Sequence, residues 1–142
     1  MADLLDLERR LQAAENRLAY FETLPKGYAY GTYTPTLTGV TNVAASTAYV
    51  TQYSRVGNMV TVFGRFNIDP TAAGLVQLGI SLPIASNFAN TQECGGVAFS
   101  GNVFGQGGTI EGDITNNRAQ LFFQTTDTAN RNYHFIFGYQ II

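Results

Sequence analysis

Residues able to do acid–base, nucleophilic or metal chemistry are scarce in this chain. It has one histidine, His134, and one cysteine, Cys94. A Ser-His-Asp or Cys-His device would have to use His134, which stands between Tyr133 and Phe135 with no acidic residue beside it; a structural histidine is expected. Three copies about a threefold axis could bring three imidazoles together, but one ligand per chain is a weak basis for a metal site. Cys94 has no intrachain partner for a disulfide and reads as a small buried hydrophobe. Glu111 and Asp113 are two apart on an expected strand, a spacing that points both carboxylates from one face toward an ion or a sugar. A solvated sheet edge is the plainer reading of that pair. The run Gly101-Asn-Val-Phe-Gly-Gln-Gly-Gly108 has the glycine density of a phosphate loop. No Lys-Ser or Lys-Thr follows it and no helical pattern begins there, so a flexible loop or bulge is expected. Glycosidases offer better acidic pairs than these. The reading is a non-enzyme with no catalytic residue, no metal and no cofactor.

The elements that position these residues fall into two regions. Asp3, Asp6, Glu8, Arg9, Arg10, Glu15, Arg17, Glu22 and Lys26 place nine of the eighteen charges in the first 26 residues. There Leu4, Leu7, Leu11, Ala14, Leu18 and Phe21 are spaced 3-4-3-4-3, the a/d seam of a coiled coil over about three heptads. With Leu4 at an a position, Glu8, Glu15 and Glu22 fall at e, and Asp3, Arg10 and Arg17 at g. In a parallel coil each g residue meets the neighbour's e residue five later, so Arg10 faces Glu15 and Arg17 faces Glu22. An antiparallel coil would set Arg against Arg and Glu against Glu. Each exposed pair is worth only about 0.3–0.5 kcal/mol, so the charges choose orientation more than they hold the coil. Asp3 facing Glu8 is the one mismatch. A stripe packed on the chain's own β region is the competing explanation. So short a coil is marginal alone, and the β regions are expected to associate as well.

The expected organisation is a coiled-coil stalk over 1–24, a Pro/Gly/Tyr junction over 25–36 and an antiparallel β knob over 37–142. Pro25, Gly27, Gly31 and Pro35 end the helix and lead into extended chain. Beyond it, Val60, Val62, Gly64, Phe66 and Ile68 alternate with more polar neighbours, which predicts a half-buried strand over Met59–Ile68. Others are expected at Ala48–Arg55, Leu75–Leu82, Cys94–Phe104, Thr109–Thr115, Arg118–Thr125 and Asn132–Ile142. Gly57-Asn58 and Asn116-Asn117 mark tight hairpin connections. In the last strand Tyr133, Phe135, Phe137, Tyr139 and Ile141 form one face, and His134, Ile136, Gly138, Gln140 and Ile142 a second, partly apolar one. Burial of the first in the core and of the second against a neighbouring subunit or sheet would use both; a central strand within a monomer would too. Seven to nine short strands without helical periodicity predict a mainly β fold, an antiparallel sandwich of jelly-roll-like kind.

Composition excludes some partners. Lys and Arg total 8 and Asp and Glu 10, a net charge of −2, so no field attracts nucleic acid. Charges interrupt any secretory apolar run near the N-terminus, and the longest uncharged stretch holds Pro70, Gln77, Pro83, Asn87 and Asn90, so no membrane insertion is expected.

Gly31-Thr-Tyr-Thr-Pro-Thr-Leu-Thr-Gly39, Tyr53-Ser-Arg-Val-Gly-Asn-Met-Val-Thr-Val62, Ile80-Ser-Leu-Pro-Ile-Ala-Ser-Asn-Phe88 and Cys94-Gly-Gly96 together resemble the C-terminal β domains of tail fibres and related virion surface proteins of tailed bacteriophages. The resemblance spans most of residues 31–142, and its motifs are structural. It implies a parallel homotrimer made in the host cytoplasm and carried on the virion surface with other virion proteins, the coil as stalk and the β domain as knob. Small size departs from the long fibres. One expectation is adhesion to a host cell-surface glycan or protein through polar residues near turns: Gln106, Asn116, Asn117, Arg118, Asp127, Asn130 and Arg131. The alternative is a capsid decoration or head-fibre protein that needs no receptor. A third, cellular reading is a trimeric knob like those of tumour-necrosis-factor or complement-type proteins, since Phe135-Ile-Phe-Gly-Tyr139 loosely resembles their last strand. The lack of a secretory run and of a collagen-like repeat counts against it.

Overall fold

A computed structural model describes residues 3–23 and 27–142, with the side chains of residues 21–23 also left out of the description. The side chains of Phe21 and Glu22, and the junction residues 24–26 with Pro25 and Lys26, therefore lie outside the described residues. Helix α1 (Leu4–Thr23) carries the heptad region. Asp3, the charge that would mismatch in the expected coil, has a local role: its Oδ1 accepts the Leu5 N–H at 3.4 Å. It and Asp6 in the first turn place negative charge at the positive end of the helix dipole. Every described side chain from Asp3 to Tyr20 is exposed, including Leu4, Leu7, Leu11 and Leu18. The apolar stripe is thus not buried on the chain's own sheet.

Among the described residues ten strands follow: β1 (Ala29–Tyr33), β2 (Leu37–Thr41), β3 (Val43–Ala48), β4 (Thr51–Val56), β5 (Met59–Pro70), β6 (Gly74–Ile80), β7 (Cys94–Ser100), β8 (Gly107–Asp113), β9 (Arg118–Thr125) and β10 (Arg131–Gln140). From β4 onward each overlaps an expected strand, but β7 ends at Ser100, short of the expected Phe104, because the chain turns through residues 101–106. β1 lies inside the expected extended junction and pairs with β4. At the β4–β5 hairpin Val56 pairs with Met59, and Gly57 has φ +61° while Asn58 has no positive φ. That is the pattern of a type II′ turn, which Gly at the first central position allows.

All pairings are antiparallel, and the order is β1-β4-β5-β10-β7-β8-β9-β6-β2, with β3 also on β5. The sheet curls into a half-barrel. β5 and β6 stand far apart in that order, yet only residues 71–73 join them in the chain. The bent β2–β3 segment spans the space between: Thr41 pairs with Gln77 of β6, and Val43 with Pro70 of β5. Asn42 makes the corner at φ +57°. Its Oδ1 accepts the Thr71 hydroxyl and the Ala72 N–H, while its Nδ2 donates to the Ala72 carbonyl at 2.8 Å. The mainly β, antiparallel part of the expectation holds. The division into two facing sheets is not seen among the described residues, because one hydrogen-bonded path runs through nine strands and β3 joins it by pairing with β5.

The core fills the inside of the curl. Val60, Val62, Phe66 and Ile68 of β5 and Tyr133, Phe135, Phe137 and Tyr139 of β10 all point inward, with Val76, Leu78, Ile80, Cys94, Ala98, Ile110, Ala119, Leu121 and Phe123 around them. Aromatic rings form a ladder within it: Phe66–Phe135 at 4.9 Å, Phe135–Phe137 at 5.9 Å, Phe137–Tyr139 at 6.1 Å and Phe123–Tyr133 at 4.6 Å between centroids. Each such pair contributes about 0.5–1.5 kcal/mol beyond area burial.

Candidate functional site

Register divides the loops between two ends of the sheet. At the entry end β1 begins, with Ala29 opposite Arg55; here lie the Gly57–Asn58 turn, the 81–93 segment, the 114–117 turn and the chain end, where the Ile141 N–H donates to the Asn58 carbonyl at 2.7 Å. At the far end are loops 71–73, 101–106 and 126–130. The polar residues expected to form one binding surface therefore separate. Asn116, Asn117 and Arg118 are at the entry end, and Gln106, Asp127, Asn130 and Arg131 at the far end.

At the entry end these residues largely hold structure. Asp113 Oδ1 accepts the N–H groups of Thr115 and Asn116, both at 3.1 Å, and its Oδ2 accepts Asn116 Nδ2 at 2.8 Å and Arg118 Nε at 2.9 Å. Asn117 closes the turn at φ +51°, and its Oδ1 accepts the Phe88 N–H at 2.9 Å. The Arg118 guanidinium lies over Gly79, where any Cβ would collide with it. Asn116, Asn117 and Arg118 border a groove of about 450 Å³ with Thr36, Thr38 and Ser81. Glu111 is exposed while both oxygens of Asp113 are engaged, so the two carboxylates are not a matched pair for an ion. Among the described residues no group of three or more His, Cys, Asp and Glu could hold a metal.

Burial raises the Asp113 carboxyl pKa, but the hydrogen bonds from Asn116 and Arg118 outweigh it and leave the pKa below its ordinary value. A lowered folded-state pKa contributes stability above the unfolded value of about 3.9, and that contribution is lost as pH falls through the folded value. Asp113→Asn is expected to cost about 1–2 kcal/mol at pH 7, read by urea unfolding. The difference from wild type should shrink on acidification, as pH falls through the lowered folded-state pKa; a difference independent of pH would contradict this role.

The same chain segment accounts for the Ile80–Phe88 motif. The Tyr139 hydroxyl donates to the Ile84 carbonyl at 2.7 Å and accepts the Ile84 N–H at 3.1 Å. Ser86 Oγ donates to the Gln140 carbonyl at 2.7 Å and accepts the Ile142 N–H at 3.1 Å. These bonds strap the segment to the C-terminal strand, and burial pushes the Tyr139 phenol up to about 12.

The far end is built from loops that brace each other. The Gly101 N–H donates to the Asn132 carbonyl and the Asn132 N–H to Asn102 Oδ1, both at 3.0 Å. Gln106 is buried, with its Nε2 donating to Thr125 Oγ1 at 3.0 Å, and Asp127 is ion-paired with Arg131. Asn130 is exposed. Hydrogen bonds, first from the Arg131 side chain and then from the Ala129 backbone, lower the Asp127 pKa. The residue that loop polarity does not reveal is Phe104. It is 99% exposed at the tip of the glycine-rich 101–108 run, and it borders a cleft of about 240 Å³ with Val103, Gly105, Gln106, Gln124 and Thr126. An aromatic face beside amide and hydroxyl groups suits sugar rings or an apolar protein surface. The signal in sequence was a large apolar residue inside a glycine-rich run with no alternation to place it inward.

His134 is exposed on the outer face of β10, opposite Arg65 of β5 and Phe99 of β7. Its ring approaches Gly101. On α1 the small Ala14 leaves a shallow groove bounded by Arg10, Arg17 and Leu18, a hole of the kind a neighbouring helix fills with a knob. Compared with family models, curated proteins and solved structures, the chain matches none.

Proposed function

We propose that the chain is the subunit of a short, non-enzymatic homotrimeric fibre or spike on a bacteriophage surface, whose β knob contacts the host. One observation carries the reading. Among the described residues the leucines of the α1 stripe, Leu4, Leu7, Leu11 and Leu18, are all exposed, and the charges beside them suit a parallel neighbour. The explanation in which the helix packs on its own sheet lacks the burial it requires. The number three comes from the resemblance to fibre domains, not from the coil.

With the stalk at the entry end of the sheet, the far end is the tip. Phe104 and its cleft are then the contact, weak per copy and multiplied by valency. Phe104→Ala is expected to leave folding stability within about 0.5 kcal/mol of wild type, because the ring touches so little. The purified variant should bind host cells at least tenfold more weakly and lose the ability to block infection. Equal binding by wild type and variant would remove Phe104 from the contact, and no binding by either at micromolar concentration would sink adhesion.

The decoration reading keeps one observation of its own. Gln106, Asp127 and Arg131, three of the polar residues expected to read a receptor, make bonds within the far-end loops instead. Gold-labelled antibody confined to the phage head would favour it; label at the tail tip would exclude it.

A further inference from the structure

The sheet has a second apolar surface, on the side away from the core. Phe63 of β5 pairs with Ile136 of β10, and Ile136 with Val97 of β7. These three outward side chains form one row across the central strands, and Phe99 sits diagonally beside Ile136 because its own partner is His134. Phe63 is 47% exposed, Ile136 49% and Phe99 51%. Cross-strand neighbours lie within about 5 Å at Cβ, and diagonal ones within about 7–8 Å, so the four make a continuous patch. The adjoining row toward the entry end, Thr61, Gly138 and Gly95, is uncharged and low.

We infer that this patch is where the β domain of a second copy of this chain docks. The inference rests on the oligomer reading above and adds the surface to it. A parallel coil starts every chain at one end, so it brings the same face of each sheet around one axis. Tethered through a short junction, neighbouring copies see each other at an effective concentration on the order of millimolar, ahead of any untethered partner. The seam is also too short to hold the assembly unaided, which requires contact between sheets. Of the charged groups near the patch, Arg65 is drawn off over the Tyr49 ring at 4.2 Å, and Glu111, opposite Gly95 on β8, is exposed at its edge.

The test is thiol labelling of the full chain carrying Ile136→Cys or, separately, Val97→Cys, with a charged maleimide and with native mass measured on the same samples. Cys94 serves as an internal blank, being 2% exposed with its thiol pushed up to about 12 by burial. Phe104→Cys is the exposed standard. The expected result is an oligomeric mass with both patch thiols labelled at least tenfold more slowly than the standard. Adding Leu11→Asp and Leu18→Asp should make all of them equally fast. An oligomeric mass with patch thiols as fast as the standard overturns this inference and leaves the coil intact, whereas a monomeric mass in every unmodified-seam sample overturns both.

Discussion

Leu11→Asp combined with Leu18→Asp is expected to reduce the native mass to the 15.4 kDa of one subunit while leaving the sheet folded. The asymmetry follows from exposure. In the single chain both leucines are 61% exposed, so replacing them removes little packing from the β fold. In a coil each fills a layer against its neighbours, where burial of one leucine is worth about 1.5–3 kcal/mol per chain. An aspartate in the same layer would also have to shed its hydration or its charge. Two such layers of about three heptads leave no seam to nucleate. Light scattering at several concentrations reads the mass, and circular dichroism of the β region reads the fold. Host binding should then fall by roughly 10²–10⁴, because valency disappears while each contact survives. An unchanged mass would place all of the association in the sheets. Loss of the β signal together with the mass would mean that the helix is part of the fold.

Much of the sheet was legible because its strands obey a period of two. Val60, Val62, Phe66 and Ile68 are fully buried and alternate with outward residues, and Tyr133, Phe135, Phe137 and Tyr139 do the same. Turn chemistry placed the hairpins through Gly57 and Asn117. β2 and β3 were hidden, since Leu37–Thr41 and Val43–Ala48 are small and largely exposed, and a strand that buries little writes little pattern. Strand order was hidden too. Nothing local says that β5 should pair with β10 along its whole length, or that Asn42 should turn one segment from β6 to β5; these are long-range consequences of closing the curl. The roles of the candidate loop residues were hidden for a different reason. Polar residues near turns were read as a candidate binding surface, yet Asn117 holds the Phe88 N–H and Gln106 the Thr125 hydroxyl, bonds that brace the turns and strand ends. Phe104, almost fully exposed at the far end, is apolar, and a reading that sought hydrogen-bonding groups passed over it.

Phe135→Ala is expected to have the largest effect on the fold, about 4–5 kcal/mol, at the upper end of the range for phenylalanine truncation. The ring is 4% exposed and touches Phe66 and Phe137 in the ladder. Its position in the sheet makes the loss hard to repair. Phe135 stands opposite Gly64 on one side and Ala98 on the other, so its immediate cross-strand neighbours are too small to move into the space. Gly64 is itself covered by Thr51, which is fully buried and has little room to shift. The cavity should therefore persist, and cost in such cases rises with the volume left empty. Against a total stability of about 5–15 kcal/mol for a domain of this kind, the variant would be barely folded. Urea unfolding should show a much lower midpoint with an unchanged slope. Ile136→Ala, one residue along and facing outward, is the control. On a seam-broken monomer it should cost less than about 1 kcal/mol, since half of that side chain is already in water. A loss under about 1.5 kcal/mol at Phe135 would mean that the curl can close on the void, and the aromatic ladder would then be packing without being the part of the core that holds the two ends of the sheet together.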